Sequence, residues 1–120
     1  PISNILKLKA KWIAINSLFF DGDLDVLIHI RDHKNKKLKV DNPDSDFNIF
    51  SIRNLKKIVK KHNYEVVKVQ QFFPKNKIKR KSKGARGSYT LSTELNKNTT
   101  FSGPVFLPWY FIIIKKKNVR

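Results

Sequence analysis

The chain has 120 residues, of which 40% are hydrophobic and 12% aromatic, enough apolar material for the core of one small domain. It contains no cysteine, which excludes disulfide bonds, thiolate metal sites and a cysteine nucleophile. The longest apolar run, residues 105–114, has about half the length that a membrane-spanning helix requires. With no membrane span and no targeting segment in view, we expect one cytoplasmic domain over residues 1–120.

Lysine and arginine total 26 against nine acidic residues, which gives a formal net charge of +17. Such a charge attracts phosphate backbones and other anionic surfaces. Only 5 of these cations are arginine, and the abundance of lysine, asparagine, isoleucine and phenylalanine together is typical of AT-rich coding DNA. We therefore give equal weight to an anionic partner and to compositional bias. The densest basic run, residues 75–86, has no apolar periodicity and is predicted to be an exposed loop.

The amino-terminal third fits two structural patterns. Residues 5–20 carry apolar side chains at steps of three and four, which predicts a helix, although Leu6–Trp12 also alternates as a strand does. Asp21–Asp23 then predicts a turn. The polar segment 32–46, which contains a proline, predicts a loop.

A helix over residues 51–62 is the clearest predicted element. Ser51 can accept a hydrogen bond from a backbone N–H of the first turn, and Phe50 before it can pack against Leu55. Lysines in the last turn complement the negative end of the helix dipole. Asn63 can adopt the left-handed conformation that ends a helix.

The second half of the chain predicts β-structure. Residues 64–73 are rich in valine and aromatic side chains and predict a strand, while residues 88–94 and 99–102 predict a hairpin. Residues 105–115 include a central stretch, Trp109–Ile114, that is apolar at every position, as expected of a strand buried on both faces. We expect this last strand to begin after a proline and to pair antiparallel with the strand at residues 64–73. The helix at residues 51–62 should pack on this pair.

Three aspartates in the predicted turn have the spacing of calcium-loop ligands. Asp21, Asp23 and Asp25 stand at the first, third and fifth positions of such a loop. Val26 stands where the sharp turn of that loop requires glycine, and the neighbouring residues are too apolar for a solvated loop. We therefore prefer a turn with capping carboxylates over a calcium site.

Two histidines are the other candidates for chemistry. His29 and His33 are four residues apart and flank Asp32, so they could share one face of a helix. A metal site needs a third ligand in a known context, and an ordinary loop edge is the preferred interpretation. The four glycines form neither a dinucleotide-binding fingerprint nor a Walker loop.

Four pieces of sequence follow one another in an order that is informative as a set. They are SLFFDGDLDVLIHIRDH at Ser17–His33, FNIFSIRNL at Phe47–Leu55, GSYT at Gly87–Thr90 and SGPVFLPWYF at Ser102–Phe111. In this order they resemble the carboxy-terminal part of class I S-adenosylmethionine-dependent methyltransferases. The resemblance covers nearly the whole chain.

The resemblance implies an α/β fold, namely the C-terminal portion of a Rossmann-like methyltransferase sheet. The helix at 51–62 would be the last helix and residues 64–73 the sixth strand. The final strand would be the seventh, which in that family runs antiparallel between the fifth and sixth. A β-hairpin insertion would complete the fold. The chain would begin just after the fifth strand, near Pro1–Asn4, as the C-terminal half of a domain.

The same resemblance implies methyl transfer from S-adenosylmethionine to an unknown acceptor. The glycine-rich turn and the acidic residue that hold this cofactor belong to the missing amino-terminal half, so no cofactor-binding residue is assigned and the chain alone is expected to be inactive. His29, Asp32 and His33 are the candidates for acceptor contact or general base, without a metal. The expected partners are the missing half or an oligomer partner, and no membrane.

Two other classes of function stay open from the residues alone. A small basic α+β module could bind nucleic acid through Lys75–Arg86, with Tyr89, Phe72 and Phe73 as stacking surfaces. A non-catalytic interaction module is the third possibility. No recognised RNA-binding motif is present in the sequence.

Overall fold

A computed structural model describes residues 2–30, 45–80 and 88–118. Within these ranges the chain forms two helices and eight strands, divided between a five-stranded mixed sheet and a three-stranded antiparallel sheet. The elements are α1 Ile2–Leu6, β1 Trp12–Phe20, β2 Val26–Ile30, β3 Ser45–Ser51, α2 Ile52–Lys61, β4 Tyr64–Gln71, β5 Ser88–Ser92, β6 Asn98–Ser102, β7 Val105–Phe106 and β8 Trp109–Lys116.

The larger sheet has the strand order β2-β3-β1-β8-β4. β8 is antiparallel to both of its neighbours, β1 and β4, and those two therefore run in the same direction. β3 is parallel to β1, with Phe19 opposite Phe50, and β2 completes the edge as an antiparallel partner of β3. The result is an α/β architecture in which the chain crosses from β3 to β4 through α2.

The predicted antiparallel pairing of 64–73 with 105–115 is confirmed. Ile112 lies opposite Val69 of β4 and opposite Ile15 of β1, so β8 is bonded on both edges. Pro108 immediately precedes β8, as expected of a residue that cannot donate to a ladder.

The last strand is buried on one face rather than on both. Ile112 and Ile114 are fully buried in the core beneath α2. On the other face Phe111 is 39% exposed and Ile113 is half-buried. The reason is that α2 covers one side of the sheet, and no helix in the described ranges covers the other.

The helix predicted over residues 5–20 is wrong. Only Ile2–Leu6 is helical, Lys9 has a φ of 57° after the helix end, and Trp12–Phe20 is a strand. Ile13, which is not part of the predicted helical stripe, is buried in the core, whereas two members of that stripe, Leu8 and Trp12, are exposed. The β-branched and aromatic residues here pack well on a pleated surface, and pairing with β8 decides the conformation.

The helix predicted at 51–62 is confirmed, with its bounds at Ile52–Lys61 and Ser51 as the N-cap. Asn63 has a φ of 65° and follows the helix in the predicted left-handed conformation. The apolar stripe of α2, formed by Ile52, Leu55 and Val59, is buried in the core. The strand β3 directly before the helix was not predicted.

The predicted hairpin is confirmed as β5 and β6, and β7 extends it to a three-stranded sheet. Residues 75–80 of the basic run carry no regular secondary structure and are exposed, as predicted, while residues 81–87 lie outside the described ranges. The predicted loop at 32–46 also lies outside them, apart from residues 45 and 46, which belong to β3. No helix in the described part of the chain has the length and apolarity to cross a membrane.

Candidate functional site

The carboxyl ends of β1, β3 and β4 lie on one edge of the larger sheet, because these three strands run in the same direction. In open α/β sheets, ligands bind outside such ends. At this edge lie the turn after β1, the start of α2, the last residue of β4 and the first residues of β8. These residues form the candidate site.

The turn after β1 is bonded to the beginning of α2. The backbone N–H of Ser51 donates a hydrogen bond of 2.7 Å to Oδ1 of Asp25, and the Ser51 hydroxyl donates to the carbonyl oxygen of Gly22. The same hydroxyl accepts a hydrogen bond of 3.0 Å from the N–H of Asn54. The predicted N-cap and the predicted capping role for a carboxylate of this turn are both confirmed. A Cβ at Gly22 would meet the ring of Phe20, so a larger residue there would displace that exposed side chain.

The aspartates of the turn serve different partners. Asp23 forms an ion pair of 3.2 Å with Arg53, and both side chains are well exposed. Asp25 accepts the hydrogen bond from the backbone N–H of Ser51. Across the described ranges, no three histidine or acidic side chains are grouped so that they could hold a metal ion. The turn is therefore explained by its contacts with α2.

An apolar cavity of about 650 Å³ lies beside this turn, between α1, α2, β1 and β3. Its walls include Ile5, Leu55 and Phe19. Asp25 and Asn48 contribute polar groups to the same cavity. A mostly apolar pocket with a few polar groups is the usual form of a binding site in a protein.

A tyrosine at the start of β8 contributes a second polar group to this edge. The hydroxyl of Tyr110 lies 3.5 Å from Oε1 of Gln71, the last residue of β4. Burial raises the pKa of Tyr110, and the negative charge of Asp21 raises it further. The phenol therefore stays protonated at neutral pH and can donate a hydrogen bond. Asp21, Gln71 and Tyr110 stand at the ends of three neighbouring strands.

The residues predicted from sequence lie elsewhere or outside the described ranges. His29 is on the outer strand β2, where it is exposed and pairs in register with Asp46. It is not among the residues that line the cavity. Asp32 and His33 lie outside the described residues, so their prediction as acceptor-side groups stays a prediction.

Sequence reasoning missed Gln71 and Tyr110 as members of the site. Tyr110 belongs to the apolar residues 109–114, which the sequence predicts only as a buried strand, although the hydroxyl gives Tyr110 a polar end. Gln71 is one of two glutamines at the end of a valine-rich strand. The signal for both was a polar group at a strand terminus, which becomes informative only when the strand directions are known.

No protein-family model matches the chain, and no curated protein or solved structure is significantly similar to it.

Proposed function

We propose that this chain is the C-terminal, acceptor-side segment of an S-adenosylmethionine-dependent methyltransferase that acts in the cytoplasm on an unassigned acceptor. One observation supports this proposal more than any other. β8 is the last strand in the described chain, and it lies antiparallel between two strands, β1 and β4, that are parallel to each other. The sequence resemblance implies the same arrangement for the fifth, seventh and sixth strands of that family.

On this proposal β1 is the fifth strand, within the chain, rather than a strand that ends before Asn4 as the sequence suggested. α2 is then the last helix and β4 the sixth strand. The three-stranded sheet of β5, β6 and β7 stands between the sixth and seventh strands as the expected hairpin insertion, enlarged by one short strand.

Two uncovered apolar surfaces support the existence of a missing half. One is the cavity between α1 and α2. The other is the side of the larger sheet opposite α2, which we call the open sheet face, with Trp12, Phe72, Phe111 and Ile113. Trp12 is 52% exposed, and Phe72 packs edge-on against Phe111 with 5.4 Å between ring centroids. Apolar surfaces of this kind are normally covered by another element or partner.

The described residues do not fit the cofactor by themselves. Binding of its ribose and carboxylate groups in a doubly wound sheet needs a glycine-rich turn with free backbone N–H groups and a nearby acid. Gly22 and Gly103 are isolated, the N–H of Gly22 donates to the carbonyl of Phe20, and its carbonyl accepts from Ser51. The proposal therefore assigns cofactor binding to the missing half and keeps the expectation that this chain alone is inactive.

The chain's own residues would act on the acceptor. A transferase must hold the acceptor atom in line with the group that it receives and, where that atom carries a proton, must accept the proton. The protonated Tyr110 hydroxyl can donate a hydrogen bond to the acceptor, and Asp21, whose charge acts on Tyr110, places a carboxylate at the same edge of the sheet. His29, Asp32 and His33 remain candidates for the same role from the sequence.

The DNA upstream of the Pro1 codon provides the test of this proposal. We expect one of its reading frames to encode a strand followed by a glycine-rich turn and, after the next strand, an acidic residue. An initiator codon that directly precedes Pro1 after a stop codon, with no such motif nearby, would remove the support for an enzyme. A binding module would then become the better account.

A further inference from the structure

One face of the smaller sheet carries a row of three aromatic rings. Tyr89 pairs in register with Phe101, and Phe101 pairs with Phe106, so the rings lie side by side across β5, β6 and β7. The rings of Tyr89 and Phe101 are stacked with centroids 5.8 Å apart, and Phe101 and Phe106 are tilted at 5.6 Å. Thr100 and Ser102, which alternate with Phe101 along β6, are buried. The aromatic row therefore lies on the outer face of this sheet, and Phe106 is 42% exposed.

The row continues into a basic segment. The guanidinium carbon of Arg80 lies 5.3 Å from the centre of the Tyr89 ring. The segment that contains Arg80 is fixed to β5, because Ile78 donates from its N–H to the Thr90 hydroxyl at 2.9 Å and accepts from the Thr90 N–H at 2.9 Å. Residues 75–80 thus run along the edge of β5 that is opposite β6, and they stay attached to the sheet.

This segment concentrates positive charge along the edge of the smaller sheet, where Arg80 lies over the Tyr89 ring. Residues 75–80 contain four cations and no acid. Lys97, from the turn between β5 and β6, adds a fifth, with its Nζ 4.8 Å from the ring centre of Phe73. The cations that we call the basic edge are Lys75, Lys77, Lys79, Arg80 and Lys97.

The basic surface of α2 lacks this combination. α2 exposes Lys56, Lys57, Lys60 and Lys61, but the helix contains no aromatic residue. The smaller sheet thus joins the two features that single-stranded nucleic acids require, cations for the phosphates and ring faces for the bases.

We propose that the aromatic row and the basic edge bind single-stranded nucleic acid. Phosphates lie along Lys77, Lys79 and Arg80, and at least one base stacks on the exposed ring of Phe106. Stacking on a ring and contact with phosphates are tolerant of sequence, so we expect little base preference. This inference goes beyond the proposed methyl transfer and does not depend on it, since binding is measured without cofactor or acceptor.

The test is fluorescence anisotropy of the full chain with a labelled single-stranded RNA of about 12 nucleotides. Phe106→Leu removes the ring but keeps an apolar side chain, and we expect it to weaken binding about tenfold, as for the loss of one base–aromatic stack. Lys77→Gln with Lys79→Gln should reduce the slope of log affinity against log salt by about 1.4, for two lost phosphate contacts.

The matched control is Lys56→Gln with Lys60→Gln on α2, which changes the net charge by the same amount. We expect this control to alter affinity less than about twofold. Equal losses in the two double-lysine variants would overturn the proposal, since net charge alone would then explain binding. Unchanged affinity in Phe106→Leu, or no binding by the wild-type chain, would overturn it as well. A thermal melt of each variant establishes that it is folded.

Discussion

The backbone N–H of Ser51 lies 2.7 Å from Oδ1 of Asp25, although the two residues are 26 positions apart in the chain. This hydrogen bond fixes the start of α2 against the turn that follows β1. It also sets the geometry of the sheet edge, since Ser51 is the last residue of β3 and the N-cap of α2. The position of the candidate site is therefore coupled to the stability of this helix.

We expect Asp25→Ala to lower the free energy of unfolding by about 1.5–3 kcal/mol, because a charged acceptor is lost and the Ser51 N–H is left without its partner. Asp23→Ala is the matched control in the same turn. It removes only an exposed ion pair with Arg53 and should cost no more than about 1 kcal/mol. Urea denaturation followed by circular dichroism measures both. Equal losses in the two variants would show that the Asp25 hydrogen bond has no special role.

The raised pKa of Tyr110 predicts a loss of stability at alkaline pH. Burial, and then the charge of Asp21, hold the folded-state pKa above the unfolded value of 10.0. The unfolded chain therefore releases this proton first, so the contribution is intact below pH 10.0 and is lost as the pH rises through the folded-state pKa. Tyr110→Phe cannot titrate, and its stability should fall less steeply over that range. Parallel alkaline denaturation curves for both proteins would contradict the expected shift.

The open sheet face predicts self-association or poor solubility of the isolated chain. We expect light scattering to give a mass above that of the monomer, because large apolar side chains on paired strands remain uncovered. Trp12→Gln with Phe111→Gln should shift the protein toward the monomer. The control, Leu8→Gln with Leu95→Gln, changes two residues that are each 77% exposed and lie off this face. A wild-type monomer with a sharp cooperative melt would instead favour a complete small domain.

The residues proposed to contact the acceptor can be tested in a longer polypeptide that includes the amino-terminal half proposed above. Tyr110→Phe should lower turnover about tenfold and leave cofactor affinity unchanged, since the phenol is expected to touch only the acceptor. Asp32→Ala and His33→Ala carry the same expectation from the sequence. Product formation and cofactor titration are measured side by side for each variant. A residue whose replacement leaves turnover unchanged is removed from the site.

The elements specified by local chemistry were predictable from the sequence. Ser51 precedes the helix as its N-cap and Asn63 follows its end, as expected, and the uniformly apolar residues 109–114 form an interior strand. Residues 12–20 were not predictable in the same way, because their apolar spacing fits a helix as well as a strand. Only pairing with β8 distinguishes the two, and that pairing is a long-range property.

The candidate site was less predictable than the fold, for a related reason. Its members come from three segments that are distant in sequence, and the sheet brings their ends together. Tyr110 carries no local sign of a role, since its neighbours in the chain are apolar and its polar partners, Gln71 and Asp21, lie on other strands or turns. Strand order and direction had to be known before this group could be recognised.

Titration calorimetry with S-adenosylmethionine tests the central claim most directly. The chain of 120 residues should give no binding heat, because its described glycines are isolated and form no phosphate- or carboxylate-binding turn. The same chain extended at its amino terminus by the segment encoded upstream should bind the cofactor with a stoichiometry of about one per polypeptide. Binding by the chain alone would contradict the placement of the cofactor site outside these residues, and an extended polypeptide that folds but gives no heat would contradict the proposed methyltransferase.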